Sequence, residues 1–521
     1  MSRWVRCILG LSLAFCLGCT GSSRTFVIYH TSDVHGHIAK RPASWHKPNP
    51  NRLVGGYAAM AQLVAQETMP AILLDSGDIF QGTPEGTLTQ GEASIALMNQ
   101  LGYSAMAVGN HEYDLGEAVI RTLATQAQFP FLAANITRKV DGKPVEYAQP
   151  THMMTVNGVR LGIVGMATHE TAAATMPKHV AHLQFIDEVR AAEKYAKKLR
   201  TDGAQVIIAL THCGAAPSYA RKRISPDAFK PSPRDLQYVG DISIARGADV
   251  DLVLGGHTHT GLERPWVDPV SGVPIAQSYE NLIAVNRIEI TVDTNTNAIE
   301  QINGQLMTLW IDQTGESKPV LTTVARYRKQ VDAIVGKMLG TATADITRDF
   351  SGHDSTLGNW MTDIMRQATN ADVAIQNTFG IRDDLRAGSV TLRDLFRIMP
   401  FDNTLVVVTV TGAELAQLIR SNFNVTRAFI QLSGVRVTFQ TDAKGEKVTS
   451  STLSVNGNPI DPARKYTIAT NNYLASGGGV GALLKGKPQQ DTGQRLRELV
   501  ADYVQKHTPV SPPPVGRFLK K

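Results

Sequence analysis

The sequence predicts an α/β protein with two domains. Its 521 residues are too many for one typical core, and a hydrophobic content of 43% supplies enough apolar side chains for two. In the first half, short apolar segments alternate with helical patterns, and almost every apolar segment ends in a Gly, Asp, Asn or His cluster. Because open α/β sheets bind ligands at the carboxyl ends of their strands, we expect the functional site in this half.

The charge of the chain is only slightly basic. There are 52 Lys and Arg residues against 46 Asp and Glu residues, which gives a formal net charge of +6, and no long basic block is present. We therefore expect a globular protein whose charge serves solubility and local attraction of phosphate. A nucleic-acid polymer is not expected as a partner.

The first 19 residues resemble an export signal. Arg3 and Arg6 precede an apolar run from Ile8 to Leu17, which is too short to span a membrane as a mature helix. Cys19, followed by Thr, Gly and Ser, resembles the lipidated cysteine of a bacterial lipoprotein signal. This resemblance implies a lipid anchor at Cys19 and a place in the periplasm or cell envelope, anchored to the outer membrane. The alternative is a plain secretory signal cut nearby.

The first domain is predicted to cover residues 25–310. Its strands are expected over Phe26 to His30, Ala71 to Leu74, Ser104 to Val108, Phe131 to Ala134, Arg160 to Gly165, Gln205 to Leu210, Asp251 to Leu254 and Ile283 to Val292. Between them, helices are expected over Gly91 to Leu101, Leu115 to Gln126, Asp187 to Arg200 and Ser232 to Arg246.

A connector and a smaller domain follow. The pattern loosens from Asp293 to Pro319, and a helix over Leu321 to Leu339 follows, so residues 311–340 are interpreted as a linker and connecting helix that would permit a hinge motion. In the second domain, residues 341–510, we expect helices over Ser355 to Thr369 and Gly412 to Phe423, strands over Ala371 to Gln376 and Leu405 to Val410, and hairpins around Gly434 and Asn456-Gly457. Pro509 to Pro514 is expected to be extended, and residues 511–521 form a tail.

Five polar clusters lie at the ends of predicted strands. They are Asp33-Val34-His35-Gly36-His37, Gly77-Asp78, Gly109-Asn110-His111-Glu112, Thr211-His212-Cys213-Gly214 and Gly255-Gly256-His257-Thr258-His259. One such residue alone is more often a helix cap, a turn former or a satisfied polar group. Together, imidazoles and carboxylates suit Zn, Mn, Fe or Co, and a set of this size exceeds one tetrahedral ion. Two divalent ions that share a carboxylate would clamp a phosphoryl group and bridge a hydroxide nucleophile.

In this order, the five clusters resemble the calcineurin-like metallophosphoesterase family. The resemblance implies a four-layer sandwich, in which helices flank two mixed sheets. It also implies two ligand sets joined by a bridging Asp78: Asp33, His35, Asp78 and His259 for one ion, and Asp78, Asn110, His212 and His257 for the other. His37 is interpreted as a bystander or a group that supports a ligand, and Glu112 as a residue that orients a neighbour.

The same resemblance implies an acid pair. His111 would contact the phosphate and stabilise the transition state or protonate the leaving group, with Asp114 as its partner. A carboxylate that holds the ring raises the pKa of the imidazole and keeps a proton available near neutral pH. The alternative role for Asp114 is to cap the helix that begins near Leu115.

The second domain resembles the substrate domain of 5'-nucleotidases and UDP-sugar hydrolases. The matching segments are Asn377-Thr378-Phe379-Gly380-Ile381-Arg382, Gly388, Pro400-Phe401-Asp402-Asn403 and Thr411-Gly412. The resemblance implies an α+β domain and substrate contacts from Asn377, Arg382 and Phe429, besides Asn110. Phe429 would stack on a nucleobase, although its spacing alone predicts a core aromatic.

Two family contacts are missing from this chain. The second stacking aromatic corresponds to Gly481, and the stretch in which a substrate arginine is expected reads Ser351-Gly352-His353. Tyr473 and Arg348 are the candidates to replace them.

These observations predict an exported two-metal hydrolase that removes phosphate from nucleotides or related phosphomonoesters. Three alternatives stay open. The first is a phosphodiesterase or pyrophosphatase that acts on UDP-sugars or 2',3'-cyclic nucleotides, and the second is a sulfur-oxidation hydrolase that cleaves a thiosulfate-derived adduct. The third is a surface lipoprotein that binds nucleosides or a partner protein without turnover.

Overall fold

The computed structural model describes residues 23–348 and 352–521. The predicted signal segment 1–19, with Cys19, and the departure at Ser351 lie outside the described residues. Within the described ranges, no helix is both long enough and apolar enough to cross a membrane.

The first domain contains two six-stranded mixed sheets. The first sheet has the order Ala298–Thr308, Ala284–Asp293, Ser23–Thr31, Ala71–Asp75, Tyr103–Ala107 and Phe131–Leu132. The last four strands of this sheet run parallel to one another. The other two are joined by antiparallel pairing to the free side of Ser23–Thr31.

The second sheet has a related arrangement. Its order is Trp266–Val267, Pro274–Gln277, Leu252–Gly255, Val206–His212, Val159–Ala167 and Thr151–Val156. The four inner strands are parallel, and each outer strand is antiparallel to its neighbour. The parallel strands of both sheets are buried on two faces, which explains their continuous apolar runs.

The two sheets pack face to face and are covered by helices on their outer sides. Ile28 and Leu74 of the first sheet meet Ile163 and Leu210 of the second in a shared buried core. The helices Tyr57–Ala65, Glu92–Leu101 and Glu117–Gln126 cover the first sheet, and Glu188–Thr201 and Asp241–Gly247 cover the second. The expected four-layer sandwich is therefore confirmed.

The helix predicted over Ser232 to Arg246 is wrong. A 3-10 turn, Asp235–Gln237, and the helix Asp241–Gly247 are separated at Gly240, which has an extended backbone. The backbone N–H of Asp241 donates to the carbonyl oxygen of Gly214 at 2.8 Å. A Cβ atom on Gly240 would lie 2.2 Å from that oxygen. This close approach to a strand-end loop prevents a continuous helix.

The loose connector expected from Asp293 to Pro319 is also wrong in part. Ala298–Thr308 is an eleven-residue strand at the edge of the first sheet. Its side chains are mostly polar and partly exposed, so the alternation that identifies a strand is weak. The connecting helix is Lys318–Val335, and its Val320 and Val324 pack into the core under the first sheet. The connector thus belongs to the helical layer of the first domain.

The second domain is built on a five-stranded sheet. The strand order is Ile430–Ser433, Val373–Asn377, Lys465–Asn471, Thr404–Thr411 and Gln489–Arg495. The helices Thr356–Thr369, Leu392–Ile398 and Leu496–His507 cover one face, and Gly412–Arg420 covers the other. A two-stranded pair, Met338–Ala342 with Gly388–Thr391, lies beside this sheet.

A four-stranded sheet completes the second domain. It contains Asn458–Pro459, Val448–Val455, Val435–Thr441 and Phe518–Lys520. The expected hairpin turn forms at Asn456-Gly457, where both residues have positive φ angles. The segment expected as a tail, 511–521, contributes Phe518–Lys520 to this sheet, and Phe518 is buried. The end of the chain is therefore integrated into the domain.

The two domains meet over the strand-end clusters of the first. The Phe401 ring stacks on His111 with 5.8 Å between ring centroids. The Gln81 side chain donates to the carbonyl oxygen of Pro400 at 3.0 Å, and the Tyr473 hydroxyl donates to the carbonyl oxygen of Ala173 at 2.5 Å. The second domain consequently forms one wall of the candidate site.

Candidate active site

All seven predicted metal ligands lie near the carboxyl ends of parallel strands. Five of them have left-handed backbone conformations: Asp33 at φ 52°, His35 at 50°, Asp78 at 61°, His257 at 72° and His259 at 54°. Residues other than glycine rarely adopt this region, and such strain concentrates at functional sites. The unusual backbone marks the same cluster that the polar residues predict.

Asp33, His35 and His259 form the first ligand group. One potential ligand atom from each lies within 4.8 Å of the others, and all three side chains are buried. The Nε2 atoms of His35 and His259 are 3.0 Å apart, and Asp33 Oδ1 is 3.3 Å from His259 Nε2. His35 Nδ1 lies 2.8 Å from the Gln81 carbonyl oxygen, which assigns the proton to Nδ1 and a lone pair to Nε2. His259 Nδ1 likewise faces the Glu280 carboxylate. Lone pairs that converge in this way fit a bound cation.

The second group contains Asp33, Asp78 and His212, again with ligand atoms within 4.8 Å. His212 Nδ1 is 2.6 Å from the Ser76 carbonyl oxygen, and its Nε2 is 3.0 Å from Asp78 Oδ2. Burial lowers the pKa of His212, but Asp78 and then Asp33 raise it, to about 10. The carboxylates of Asp78 and Asp33 therefore attract positive charge to this position.

Asn110 supplies a further sign of a metal site. It is 3% exposed, and its Oδ1 atom is buried without a hydrogen-bond partner among the described residues. Buried polar atoms are nearly always satisfied, so an unsatisfied amide oxygen beside carboxylates and imidazoles fits a metal ligand. The residues present therefore fit the two-ion centre that the sequence predicts.

His257 lies beside these groups and has a partner of its own. Its Nε2 is 3.0 Å from Glu170 Oε2, and its ring centroid is 5.1 Å from that of His212. The backbone N–H of His257 donates to the carboxylate of Asp33 at 3.0 Å. The structure thus brings His257 to the cluster, with Nδ1 as the ring atom left for a metal.

The expected acid pair is formed. His111 Nδ1 lies 2.5 Å from Asp114 Oδ2, and Asp114 Oδ1 accepts a hydrogen bond from the Thr175 hydroxyl at 2.9 Å. Burial lowers the pKa of His111, but Asp114 and Asp78 raise it by more, so the net shift is upward. The helix after Asp114 begins at Glu117 with Gly116 as its N-cap. The alternative cap role of Asp114 is therefore excluded.

Four supporting residues complete the cluster. The Glu112 carboxylate accepts backbone N–H groups of Gly109, Asp78 and Ile79 at 2.7, 3.0 and 2.9 Å, which ties two ligand loops together. Glu170, Thr175 and Glu280 were missed by sequence reasoning. Glu170 and Glu280 each follow a strand end by three residues, Val159–Ala167 and Pro274–Gln277, so the same strand-end signal would have indicated them.

Of the predicted substrate residues of the second domain, Arg382 lines a cavity that His35 and His259 of the first domain also line. Asn377 Oδ1 accepts a hydrogen bond from the Asn471 side chain at 2.9 Å. The Arg382 guanidinium lies 5.8 Å from the centre of the Phe401 ring. Phe429 is half-buried, and its ring is 6.3 Å from that of Phe379, which is 41% exposed.

The departures from the family pattern have clear physical consequences. Gly481 is buried, and a Cβ atom there would lie 2.2 Å from the Leu474 carbonyl oxygen, so no side chain fits. The Tyr473 hydroxyl, which could have replaced the missing aromatic, donates a hydrogen bond to the carbonyl oxygen of Ala173 in the first domain. His353 Nε2 lies 2.7 Å from the Asn424 carbonyl oxygen, and its ring packs on other aromatic rings. Arg348 lies 4.0 Å from Asp384 and lines a cavity with Arg382.

Comparison with known proteins agrees with this geometry. Residues 26–261 match the calcineurin-like phosphoesterase family, and residues 335–485 match the 5'-nucleotidase C-terminal domain. The protein UshA of Yersinia enterocolitica is 26% identical over 96% of each chain, and a snake venom 5'-nucleotidase from Gloydius brevicauda is 27% identical over 97% of this chain and 90% of that one. A 5'-nucleotidase precursor from Thermus thermophilus has a TM-score of 0.80 at 25% identity, over 95% of this chain and 99% of that one.

The fold, the clustered ligands and these similarities define a metal-dependent phosphoric ester hydrolase. Within that class, the chain is similar to 5'-nucleotidases over nearly its whole length, with a calcineurin-like phosphoesterase match followed by a match to the 5'-nucleotidase C-terminal domain. The resemblance stated from the sequence and the enzyme class are both confirmed.

Proposed function

We propose that this protein is an exported two-metal phosphomonoesterase that removes the terminal phosphate from nucleotides. The observation that carries the proposal is that the two ligand groups share Asp33 and lie immediately beside the His111–Asp114 pair. Asp78 Oδ2 is near a histidine of each group, 4.0 Å from His35 Nε2 and 3.0 Å from His212 Nε2. Metal ions at the ligand groups would neutralise the charge of the phosphoryl group, and His111 beside them would donate a proton to the leaving group. Hydrolysis of a phosphate ester uses both effects at the same place.

Two divalent ions would be held by the seven predicted ligands, with Asp78 between them. When bound, such ions act as Lewis acids on phosphoryl oxygens and on an attacking water. Zn, Mn, Fe and Co all suit these ligands. Gln81, Ser76 and Glu280 fix the imidazole rings of His35, His212 and His259, so the ligand atoms are oriented before an ion arrives.

His111 would act on the leaving group. Asp114 holds its Nδ1–H, and the upward shift of the pKa favours a second proton on Nε2. Nε2 is 3.9 Å from Asp78 Oδ2, so it faces the predicted metal ligands. It can donate that proton to the ester oxygen as the bond to phosphorus breaks. The Phe401 ring stacked on His111 limits water access to the imidazole.

Nucleotides are the proposed substrates. Asn377, Arg382 and the half-buried Phe429 supply the polar, charged and aromatic groups that such ligands require. Similarity to the snake venom 5'-nucleotidase supports this choice. Export and the lipid anchor at Cys19 complete the proposal, and acid hydrolysis of the mature N-terminus followed by lipid analysis tests them.

Phosphate release from AMP with added Mn or Zn tests the hydrolytic function. We expect turnover by the wild-type protein and its loss in Asp78→Asn and His257→Ala. The matched control is His152→Gln, a partly exposed histidine on the edge strand Thr151–Val156, which should retain turnover. Activity that survives both ligand substitutions contradicts the two-metal assignment.

A phosphodiesterase or pyrophosphatase is the second candidate. The specific observation is the buried Gly481, which leaves half of the family's base clamp without a side chain. A substrate panel of AMP, UDP-glucose and a 2',3'-cyclic nucleotide separates the two functions by relative kcat/KM. A sulfonate conjugate in the same panel tests the thiosulfate-adduct alternative. Tight nucleoside binding without turnover under any metal would instead indicate a binding lipoprotein.

A further inference from the structure

A cavity of about 130 Å³ lies between the domains, next to the candidate metal ligands. His35 and His259 form part of its wall on one side, and the turn at Tyr279 forms part on another. Its volume is below the roughly 300–1,000 Å³ of pockets for drug-sized molecules. A small ion therefore fits better than a nucleoside. The rings of Phe379 and Phe429 are outside its lining.

The cavity wall is strongly basic. Five guanidinium groups line it, whereas two carboxylates do so, those of Glu280 and Asp383. The five are Arg41, Arg221, Arg348, Arg382 and Arg397. The wall consequently has an excess of positive charge before any metal ion is added.

The carboxylates already have partners within this group. Glu280 Oε2 is 3.1 Å from Arg221 NH1, and Asp383 pairs with Arg397. In the described part of the chain, the polar contacts of Arg41 and Arg382 are with neutral groups. Arg41 NH1 lies 2.9 Å from His37 Nδ1, and Arg382 NH1 lies 3.4 Å from the Phe379 carbonyl oxygen.

The arginines extend from the reaction centre to the far end of the cavity. Arg382 packs on the Phe401 ring, which is itself stacked on His111, so Arg382 lies at the reactive end. Arg41 follows the first ligand loop and begins the short strand Arg41–Pro42, beyond His37. A single phosphoryl group bound at the metal ligands would lie near Arg382, and the part of the cavity lined by Arg41 would contain no anion from it.

Crowding of these cations is costly. Burial and then Arg221 lower the pKa of Arg382 to about 10, and the same two causes lower the pKa of Arg348. Guanidinium groups remain charged at neutral pH, so they cannot escape the repulsion by losing a proton. An oxyanion relieves it, because a guanidinium binds phosphate oxygens through two parallel hydrogen bonds.

We propose that this cavity binds a second tetrahedral oxyanion, in addition to the phosphoryl group that the metal ligands would hold. The oxyanion has two sources with the same chemistry: free inorganic phosphate, or a second phosphate group on the same substrate. The inference goes beyond the proposed function, because the binding of a second anion and the hydrolysis of an ester are measured separately.

Calorimetric titration of inorganic phosphate into the full-length, Mn-loaded protein tests the proposal. We expect two phosphates per wild-type chain and one in the double variant Arg41→Gln, Arg397→Gln. Arg436→Gln, an exposed arginine on the strand Val435–Thr441, should bind two. Binding of a single phosphate by the wild-type protein, or two by the double variant, overturns the proposal. If the double variant does not fold, Arg41→Lys decides, with an expected loss of about tenfold in affinity for the second phosphate.

Titration with AMP and ADP identifies the source. A second phosphate on the substrate predicts that the double variant loses at least about tenfold more affinity for ADP than for AMP. Free phosphate predicts equal effects on the two nucleotides together with loss of the second inorganic phosphate. An unchanged response to all three ligands overturns the site. Phosphate release from AMP by the wild-type protein, measured in parallel, tests the proposed function independently.

Discussion

His111 is the residue on which the proposed chemistry depends most. Its Nδ1 is held by Asp114, and its Nε2 faces Asp78. Replacement by Gln removes the proton donor, while the seven ligands stay in place. We expect kcat for AMP to fall by roughly 10²–10⁴-fold, the usual contribution of general acid catalysis. Metal content should equal that of the wild-type protein. A loss of metal together with activity would instead make His111 a structural support.

Thr175 is expected to act as a positioning residue. Its hydroxyl donates to Asp114 Oδ1, so it holds the carboxylate that in turn holds His111. For Thr175→Val, which keeps the shape and removes the donor, we expect kcat to fall roughly two- to tenfold with KM little changed. Thr175→Ser retains the hydroxyl and should restore kcat. Equal losses in both variants would show that packing of the methyl group matters, and not the hydrogen bond.

At the residue level, the sequence predicts the metal-ligating side chains better than the side chains that hold them in position. Asp33, Asp78 and His212 stand directly at strand ends beside glycines, where the local pattern is informative. Glu170 and Glu280 contact His257 and His259 from distant segments. Both glutamates lie just after strands of the second sheet, so the strand-end signal marks them as polar candidates. It does not say which histidine each would contact, because that depends on the order of the strands in the sheet.

Among the elements, the antiparallel edge of the first sheet contains a charge cluster that gives a pH-dependent prediction. Glu67 accepts hydrogen bonds from Arg287 Nε at 2.8 Å and from the Tyr29 hydroxyl at 3.1 Å. The Arg287 hydrogen bond is the largest cause that lowers the pKa of Glu67, from 4.5 to about 2. The ionised Glu67 carboxylate therefore makes its full contribution to folding stability above pH 4.5, and this contribution is lost as the pH falls toward 2.

Glu67→Gln should consequently be less stable than the wild-type protein at about pH 7, and the difference should shrink as the pH is lowered from about 5 to about 3. The urea midpoint of unfolding at each pH measures this. Glu193→Gln, at an exposed position of the helix Glu188–Thr201, is the matched control and should show no pH-dependent difference. A difference for Glu67→Gln that is constant over this range is incompatible with the proposed ion pair.

The elements show where sequence patterns succeed. The buried parallel strand Val206–His212 has a continuous apolar run, so its position was predicted to within two residues. The edge strand Ala298–Thr308 was missed because it exposes polar side chains. The break at Gly240 was missed because it depends on contact with Gly214, which is distant in sequence.

On the scale of the whole molecule, the candidate site needs both domains. Phe401 and Arg382 of the second domain adjoin the metal ligands of the first, and Tyr473 contacts Ala173 across the interface. The order of the two domains could be predicted from the sequence. The surface over which they meet could not be predicted, because the hydrophobic pattern of each domain indicates only which residues form that domain's own core. The hinge motion expected of the connector remains a prediction, although its helix packs firmly on the first domain.

The central claim is that seven side chains of the first domain hold two divalent ions that share Asp78. Elemental analysis of the purified full-length protein, after incubation with Mn or Zn and removal of unbound metal, tests it most directly. The predicted result is about two ions per chain for the wild-type protein and fewer than one for Asp78→Asn, since both ions lose a ligand. Two ions retained by Asp78→Asn, or a wild-type protein that hydrolyses AMP with one ion or none, would contradict the account.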